Sequence, residues 1–189
     1  MATRYFGERI KRNEDPRLLT GQGLYVDDVD LPNMLHAAFL RSPYAHARIN
    51  NIDVSQALQR EGVVAIYTAK DLGEYWKPGP LLVSPPPVKD IVFNEKTQVP
   101  LAKDKVKFAG EPIVMVLAGS RYIAEDALAD IQVDYEPLQA VVDLEKALQK
   151  ESPIIHEELG SNVAAHVVQT KGDYGSAKEE AALVIKRRF

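Results

Sequence analysis

The sequence predicts an α+β fold, and three observations carry that prediction. Strand-like and helix-like stretches interleave irregularly, and some strands follow one another with only a turn between, unlike a doubly wound sheet. The run "EPIVMVLA" (111–118) is continuously apolar, the signature of a strand covered on both faces. Directly after it, a capped helix and an alternating strand complete a strand–helix–strand unit. The composition suits such a fold, with 46% apolar and 26% charged residues in a chain of 189. A domain of that size buries roughly 70% of the surface its unfolded chain exposes.

Taken in order, residues 1–19 are polar, carry "KRNEDPRLL" and read as an N-terminal arm. "TGQGLYVDDVDLP" places turn residues around a short strand expected at Leu24–Val26. Met34–Arg41 and Arg48–Val54 read as paired strands joined through "SPYAHA", where Pro43 sets φ for the turn. Alternation puts Leu35, Ala37 and Phe39 on one face of the first. Asp53 or Ser55 caps a short helix carrying Val54, Ala57 and Leu58, which Gly62 ends. "VVAIYT" (63–68) is then a short buried strand. Five of the 12 prolines fall between Pro78 and Pro87, which predicts an extended loop. Its Trp76 and Leu81–Leu82 read either as local packing or as a contact for another subunit.

The second half is more regular. Ser120 caps a helix in which Ile123, Ala127 and Ile131 recur at i+4, beside Ala124 and Leu128. Ile131, Val133 and Tyr135 then alternate inward against Gln132 and Asp134, and Tyr135-Glu136-Pro137 ends the strand. A further helix is expected from Asp143, with Leu144, Ala147 and Leu148. Asp173 caps one over Tyr174–Glu180. Leu183–Phe189 reads as the start of a strand, with Leu183, Ile185 and Phe189 on one face. The expected organisation is an arm at 1–19, a domain at 20–182 and the beginning of a strand at 183–189.

The chemistry is mostly exclusions. The net charge is −4, and the largest basic cluster is Lys186-Arg187-Arg188, which argues against nucleic acid or an anionic membrane as partner. No apolar run approaches the ~20 residues that span a bilayer. "MATRYFGERIKR" contains no signal-peptide core, so the expected location is cytoplasmic. With no cysteine, this chain has no disulfide, thiolate metal site, iron–sulfur ligation or cysteine nucleophile. His36, His46, His156 and His166 form no HxH or HxxxH pair and read as structural. Gly21 and Gly23 of "TGQG" lack the third glycine and the flanking elements of a dinucleotide fingerprint and read as a turn. Asp27–Asp30 lacks the glycine and distal glutamate of a calcium loop. Glu157–Glu158 and Glu179–Glu180 read as exposed helix charges. The expectation is therefore no catalytic, cofactor-binding or metal-binding residue in this chain.

Four stretches nevertheless form a recognisable series: "GQGLYVDDVDLPNMLHAAFLRS", "RSPYAHARINNIDVSQAL", "VKFAGEPIVMVLA" and "RYIAEDALADIQVDYEPL". In this order and spacing they resemble the N-terminal domain of the large subunit of molybdenum hydroxylases, the xanthine dehydrogenase/aldehyde oxidase superfamily. "RNEDPRLLTGQGLYVDDVDLP" is most similar to the carbon monoxide dehydrogenase branch. The resemblance runs from about Asn13 to Phe189. It implies an α/β hammerhead fold: a mixed sheet with helices packed on it and a protruding hammerhead of strands. It gives Pro43, Arg41, Arg48, Gly110 and Pro112 scaffold roles, with the two arginines holding acidic neighbours. It also implies a chain that continues past Phe189 into the domains that bind a molybdenum–pterin cofactor. The catalytic glutamate and the pterin loops belong to those later domains, so none is carried onto a residue of this chain.

The assembled enzyme implied by the resemblance holds 2Fe–2S clusters on a small subunit and FAD on a medium subunit. It is an oxidoreductase acting on carbon monoxide, or alternatively on an aldehyde, a purine or another N-heterocycle. A stand-alone scaffold or binding module with the same fold is a further alternative. The isolated chain is expected to self-associate through the Pro78–Val88 loop and the Leu183–Phe189 strand, where apolar surface lacks its neighbours.

Overall fold

The computed structural model describes residues 7, 9–79, 91–94 and 96–188. They divide into two units, Met1–Leu35 and His36–Phe189.

In the first unit, "DPRLL" forms a one-turn helix, α1 (Asp15–Leu19), with proline in its first turn, where a missing N–H costs nothing. The strand expected at Leu24–Val26 does not form. The Asp28 carboxylate accepts the Tyr25 N–H at 2.9 Å and closes a 3₁₀ turn over Val26–Asp28. Leu24, Tyr25 and Val26 are left exposed. Aspartate competing for a local N–H outweighed the β-propensity of the three apolar residues.

The second unit contains strands β1 (His36–Arg41), β2 (Ala47–Asp53), β3 (Val63–Thr68), β4 (Val92–Phe93), β5 (Lys105–Val106), β6 (Pro112–Ala118), β7 (Gln132–Pro137) and β8 (Ala165–His166). Helices α2 (Ser55–Leu58), α3 (Arg121–Leu128), α4 (Leu144–Ala147) and α5 (Tyr174–Glu179) lie between or after them. Among the described residues these form three sheets, in the orders β1-β6-β3, β5-β2-β7 and β4-β8. Every described ladder is antiparallel, as an α+β fold allows and a doubly wound one does not.

The expected pairing of β1 with β2 is overturned. β1 pairs with β6, while β2 lies between β5 and β7 in a different sheet. Between them the chain turns a corner instead of folding back. Ser42 exchanges backbone hydrogen bonds with the 110–111 segment (Ser42 N to Glu111 O, 2.9 Å; Gly110 N to Ser42 O, 2.8 Å), and its hydroxyl accepts the Tyr44 N–H. Gly110 takes φ +88°, the bend that precedes β6. Ala37 and Phe39 share one face of β1, as alternation places them. Ala38 and Leu40 pack against the core, whereas Leu35, Ala37 and Phe39 are exposed.

The core centres on the β1-β6-β3 sheet and α3 and extends to Ala57 of α2 and to Ala47 and Val106 of the β5-β2-β7 sheet. Val114, Val116 and Ala118 on β6 and Ala124 and Ala127 on α3 are fully buried. The two alanines let the helix backbone approach the sheet closely. The Ser120 hydroxyl accepts the Ile123 N–H at 3.3 Å and fixes where α3 begins. Opposite the helix, Gly62 adopts φ +86°, and a Cβ there would stand 2.7 Å from Ile123 Cδ1. Arg60 ties down the far end of the helix, with Nη2 and Nε donating to Asp130 Oδ2 at 2.7 and 2.8 Å.

Elsewhere the caps behave as the sequence indicates. The Asp53 carboxylate accepts the Ser55 N–H, although Val54 holds the cap position of α2. Asp143 accepts the Glu145 and Lys146 N–H groups, and Asp173 accepts that of Ser176. Leu144 and Leu148 stay exposed, so capping rather than burial defines α4. Trp76 packs locally, its Nε1 donating to Leu101 O at 2.8 Å. Leu81, Leu82 and the rest of residues 80–90 lie outside the described residues. No described ladder includes residues 183–188, where the start of a strand is expected, and Phe189 is outside the described set. A strand requires an edge to pair with, and no described residue offers one there. Arg188 instead bonds Glu145 at 3.0 Å.

Gly62→Ala combines a strained φ with a contact against Ile123. The expected loss is about 1–3 kcal/mol, read as a Tm lowered by about 3 °C or more. Gly79→Ala, where a Cβ meets nothing within 4 Å, should leave Tm unchanged in the same scan.

Candidate functional site

A cleft of about 400 Å³ lies beside β5 in the second unit. "KDKVK" alternates along the wall, so Val106 points into the core, fully buried, while Lys105 and Lys107 turn outward. Lys103 lies 5.4 Å from the centre of the Trp76 ring, a cation–π distance. Facing this wall, residues 153–162 form a self-braced loop. Asn162 accepts the Ile155 N–H and donates to the carbonyls of Ala147 and Pro153. Within the loop a 3₁₀ turn, Glu157–Leu159, ends at Gly160 in the left-handed conformation.

That turn meets the strand through ion pairs. Lys105 Nζ lies 2.7 Å from Glu157 Oε1, and Lys107 Nζ lies 2.5 Å from Glu158 Oε1. His156 Nδ1 is 3.3 Å from both the Lys107 ammonium and the Glu158 carboxylate. Burial opposes ionisation of Glu158. The Lys107 hydrogen bond, its own backbone, the Lys107 charge and His156 together outweigh burial and push the group down to about 2. The Lys105 hydrogen bond and charge lower Glu157. Burial, then the Lys107 charge, hold His156 below the usual histidine range, favouring the neutral ring. Glu111 is buried at 3% exposure, and its Oε2 accepts the Lys107 N–H. Burial raises its pKa, against the backbone bonds and the Lys107 charge.

The other histidines fall elsewhere. His46 is buried and its Nδ1 lies 2.9 Å from Gln139 O, so Nδ1 carries the proton. Its Nε2 is buried without a hydrogen-bond partner among the described residues. His46 and Arg48 line a second depression, of about 540 Å³, that continues from Lys105 and Glu157. His36 sits half-buried in β1 opposite Ala118, and His166 is exposed in β8 opposite Val92. Arg48 holds Glu136 across the strand pair at 3.2 Å. Arg41 donates to Gly110 O rather than to an acid, with its guanidinium 5.9 Å from the Phe39 ring centre. Among the described residues, no three His, Asp or Glu side chains converge as metal ligands.

The arrangement is a set of mutual charge pairs that fastens one loop to one strand. In the sequence Glu157 and Glu158 read as exposed helix charges. They remain largely exposed, but on a 3₁₀ turn and each against a lysine about fifty residues earlier. The only available signal was the alternation of Lys103, Lys105 and Lys107, which marks one face of an extended segment without naming its partner.

Residues 20–139 match the family described as aldehyde oxidase and xanthine dehydrogenase, a/b hammerhead domain. The chain is 43% identical over 153 residues to the carbon monoxide dehydrogenase large chain of Afipia carboxidovorans, covering 81% of this chain and 18% of that one. It is 37% identical over 183 residues to the nicotine 6-hydroxylase large subunit of Paenarthrobacter nicotinovorans, covering 97% of this chain and 22% of the relative. Among solved structures it superposes on quinoline 2-oxidoreductase from Pseudomonas putida 86 with a TM-score of 0.79. There the identity is 38%, with 93% of this chain and 22% of that chain covered. This chain therefore spans about a fifth of the length of these relatives. On the family match over 120 of its residues and on these identities, the chain belongs to the aldehyde oxidase and xanthine dehydrogenase a/b hammerhead family.

Proposed function

We propose that this chain is a non-catalytic N-terminal domain of the large subunit of a carbon monoxide dehydrogenase-like molybdenum hydroxylase. The observation that carries the reading is the 43% identity to a carbon monoxide dehydrogenase large chain of which this chain spans only 18%. The chemistry then resides in the polypeptide that the relatives possess and this chain does not span. A molybdenum–pterin group supplies the redox step there, with iron–sulfur and flavin subunits as partners. The described residues of the cleft do not fit such a group. The carboxylates facing the cleft are engaged by Lys105, Lys107 and the Lys107 backbone, and no metal-binding cluster lies among the described residues. The cleft is on this reading a structural clasp.

A second substrate class has its own support. The nicotine 6-hydroxylase large subunit matches 97% of the chain, against 81% for the carbon monoxide enzyme. The same domain of an N-heterocycle hydroxylase is therefore the alternative, and the substrate is set by residues outside this domain.

Two measurements test these readings. The purified chain should bind no molybdenum and show no dye-linked oxidation. Co-expressed with the Afipia large chain lacking the matched segment and with its partner subunits, it should restore oxidation of carbon monoxide. Turnover by the lone chain would overturn the non-catalytic assignment. Failure to assemble with that polypeptide would overturn the subunit reading.

For the clasp, Glu158 titrates in the folded chain at about 2 against an ordinary 4.5. Its contribution is complete above the ordinary value and disappears as pH falls toward 2. The Glu158 carboxyl ¹³C shift should have a midpoint near 2, moving toward 4.5 in Lys107→Gln. An unchanged midpoint in that variant would remove Lys107 as the cause.

A further inference from the structure

The two faces of the β1-β6-β3 sheet are treated differently. One face carries Ala38, Leu40, Val114, Val116, Val63 and Ile66, all packed into the core beneath α3. The register places two rows on the other face: Ala37–Leu117–Ala65 and Phe39–Met115–Tyr67. No charged residue occupies either row. An antiparallel sheet with one solvated face normally alternates apolar with polar residues, and this one does not. The exposure falls between buried and open: Phe39 is 40% exposed, Ala37 is exposed, and Met115, Leu117, Ala65 and Tyr67 are intermediate. Strand β6 is thus written for cover on both sides, and the described residues complete that cover on one side only.

We propose that the Ala37–Leu117–Ala65 and Phe39–Met115–Tyr67 rows form a docking face for the remaining polypeptide of the large subunit. This rests on the reading of the chain as a piece of such a subunit. The occupant follows from length: about four fifths of each relative lies outside the matched segment. A cover of this kind is apolar, since a charge set against these six side chains would be desolvated without a partner. Arg41, at the end of the Phe39 row, marks the rim, its guanidinium already committed to Gly110 O.

The absence of native cysteine makes the test direct. Phe39→Cys and Ala37→Cys place a thiol on the face, and Tyr122→Cys places one on the exposed outer side of α3, where Tyr122 is 80% exposed. Maleimide labelling is read from the mass of this chain. In the chain alone, both face thiols should label within about threefold of Tyr122→Cys, at a rate independent of protein concentration. In the complex formed by co-expression with the Afipia large chain lacking the matched segment, each face thiol should label at least tenfold more slowly than in the free chain. Protection in the free chain at every concentration would mean that the chain covers its own face. Protection that grows with concentration would make a second copy the occupant, and either result overturns the inference. A complex whose face thiols stay open overturns it while leaving the subunit reading intact. Failure of the unsubstituted chain to form any complex overturns that reading, and the inference with it.

Discussion

The close approach of α3 to strand β6 is the constraint on which the rest of the second unit depends. β6 is the central member of its sheet, so its register sets both β1 and β3. The helix settles against it only because Ala124 and Ala127 offer no bulk at the contact. Ser120 fixes the start of the helix, and the Arg60–Asp130 pair ties its far end to the turn before β3. Gly62 completes the fit from the sheet side, since any side chain there would meet Ile123. A packed interior of this kind has little room for adjustment, and one added methyl group is felt through the whole contact.

The same strand also sets where the cleft lies. Glu111, one residue before β6, is buried and receives the Lys107 N–H, while its carbonyl accepts from Ser42 at the corner between β1 and β2. One short turn therefore fixes the route of the chain between two sheets and the outward aim of Lys105 and Lys107. The ion pairs to Glu157 and Glu158 then bring the 153–162 loop onto β5. Such pairs, still half in water, contribute little to stability, and their main effect is to select one geometry for the loop.

What could be read from the sequence was local chemistry. The β6–α3–β7 unit, the Ser120, Asp143 and Asp173 caps, and the turn at Gly110 each depend on residues within a few positions of one another. What could not be read was pairing at a distance. Alternation in 34–41 was seen, but which phase faced the core depended on β6, some eighty residues later. The Leu24–Val26 and Leu183–Phe189 segments have the composition of strands, but a strand exists only with an edge beside it. The lysines at 105 and 107 and the glutamates at 157 and 158 were visible as charges and became a clasp only through the fold. The same limit applied to the site as a whole: the sequence offered no catalytic constellation, while the family series, running from about Asn13 to Phe189, held no one diagnostic motif.

The treatment of charge and of apolar surface in this domain differs in a way that bears on its role. Around the cleft, charges meet charges of the same chain, so their fields are largely spent internally and little is left to polarise a bound molecule. On the outer sheet face, by contrast, the apolar side chains lack full cover from the described residues. A domain that pairs charges across its cleft and leaves apolar area over is suited to the packing role proposed for it. This agrees with the sequence of β6, whose uninterrupted apolar run would be a liability in a strand meant to face water. In that sense the run "EPIVMVLA" describes the neighbourhood of this domain as much as its interior.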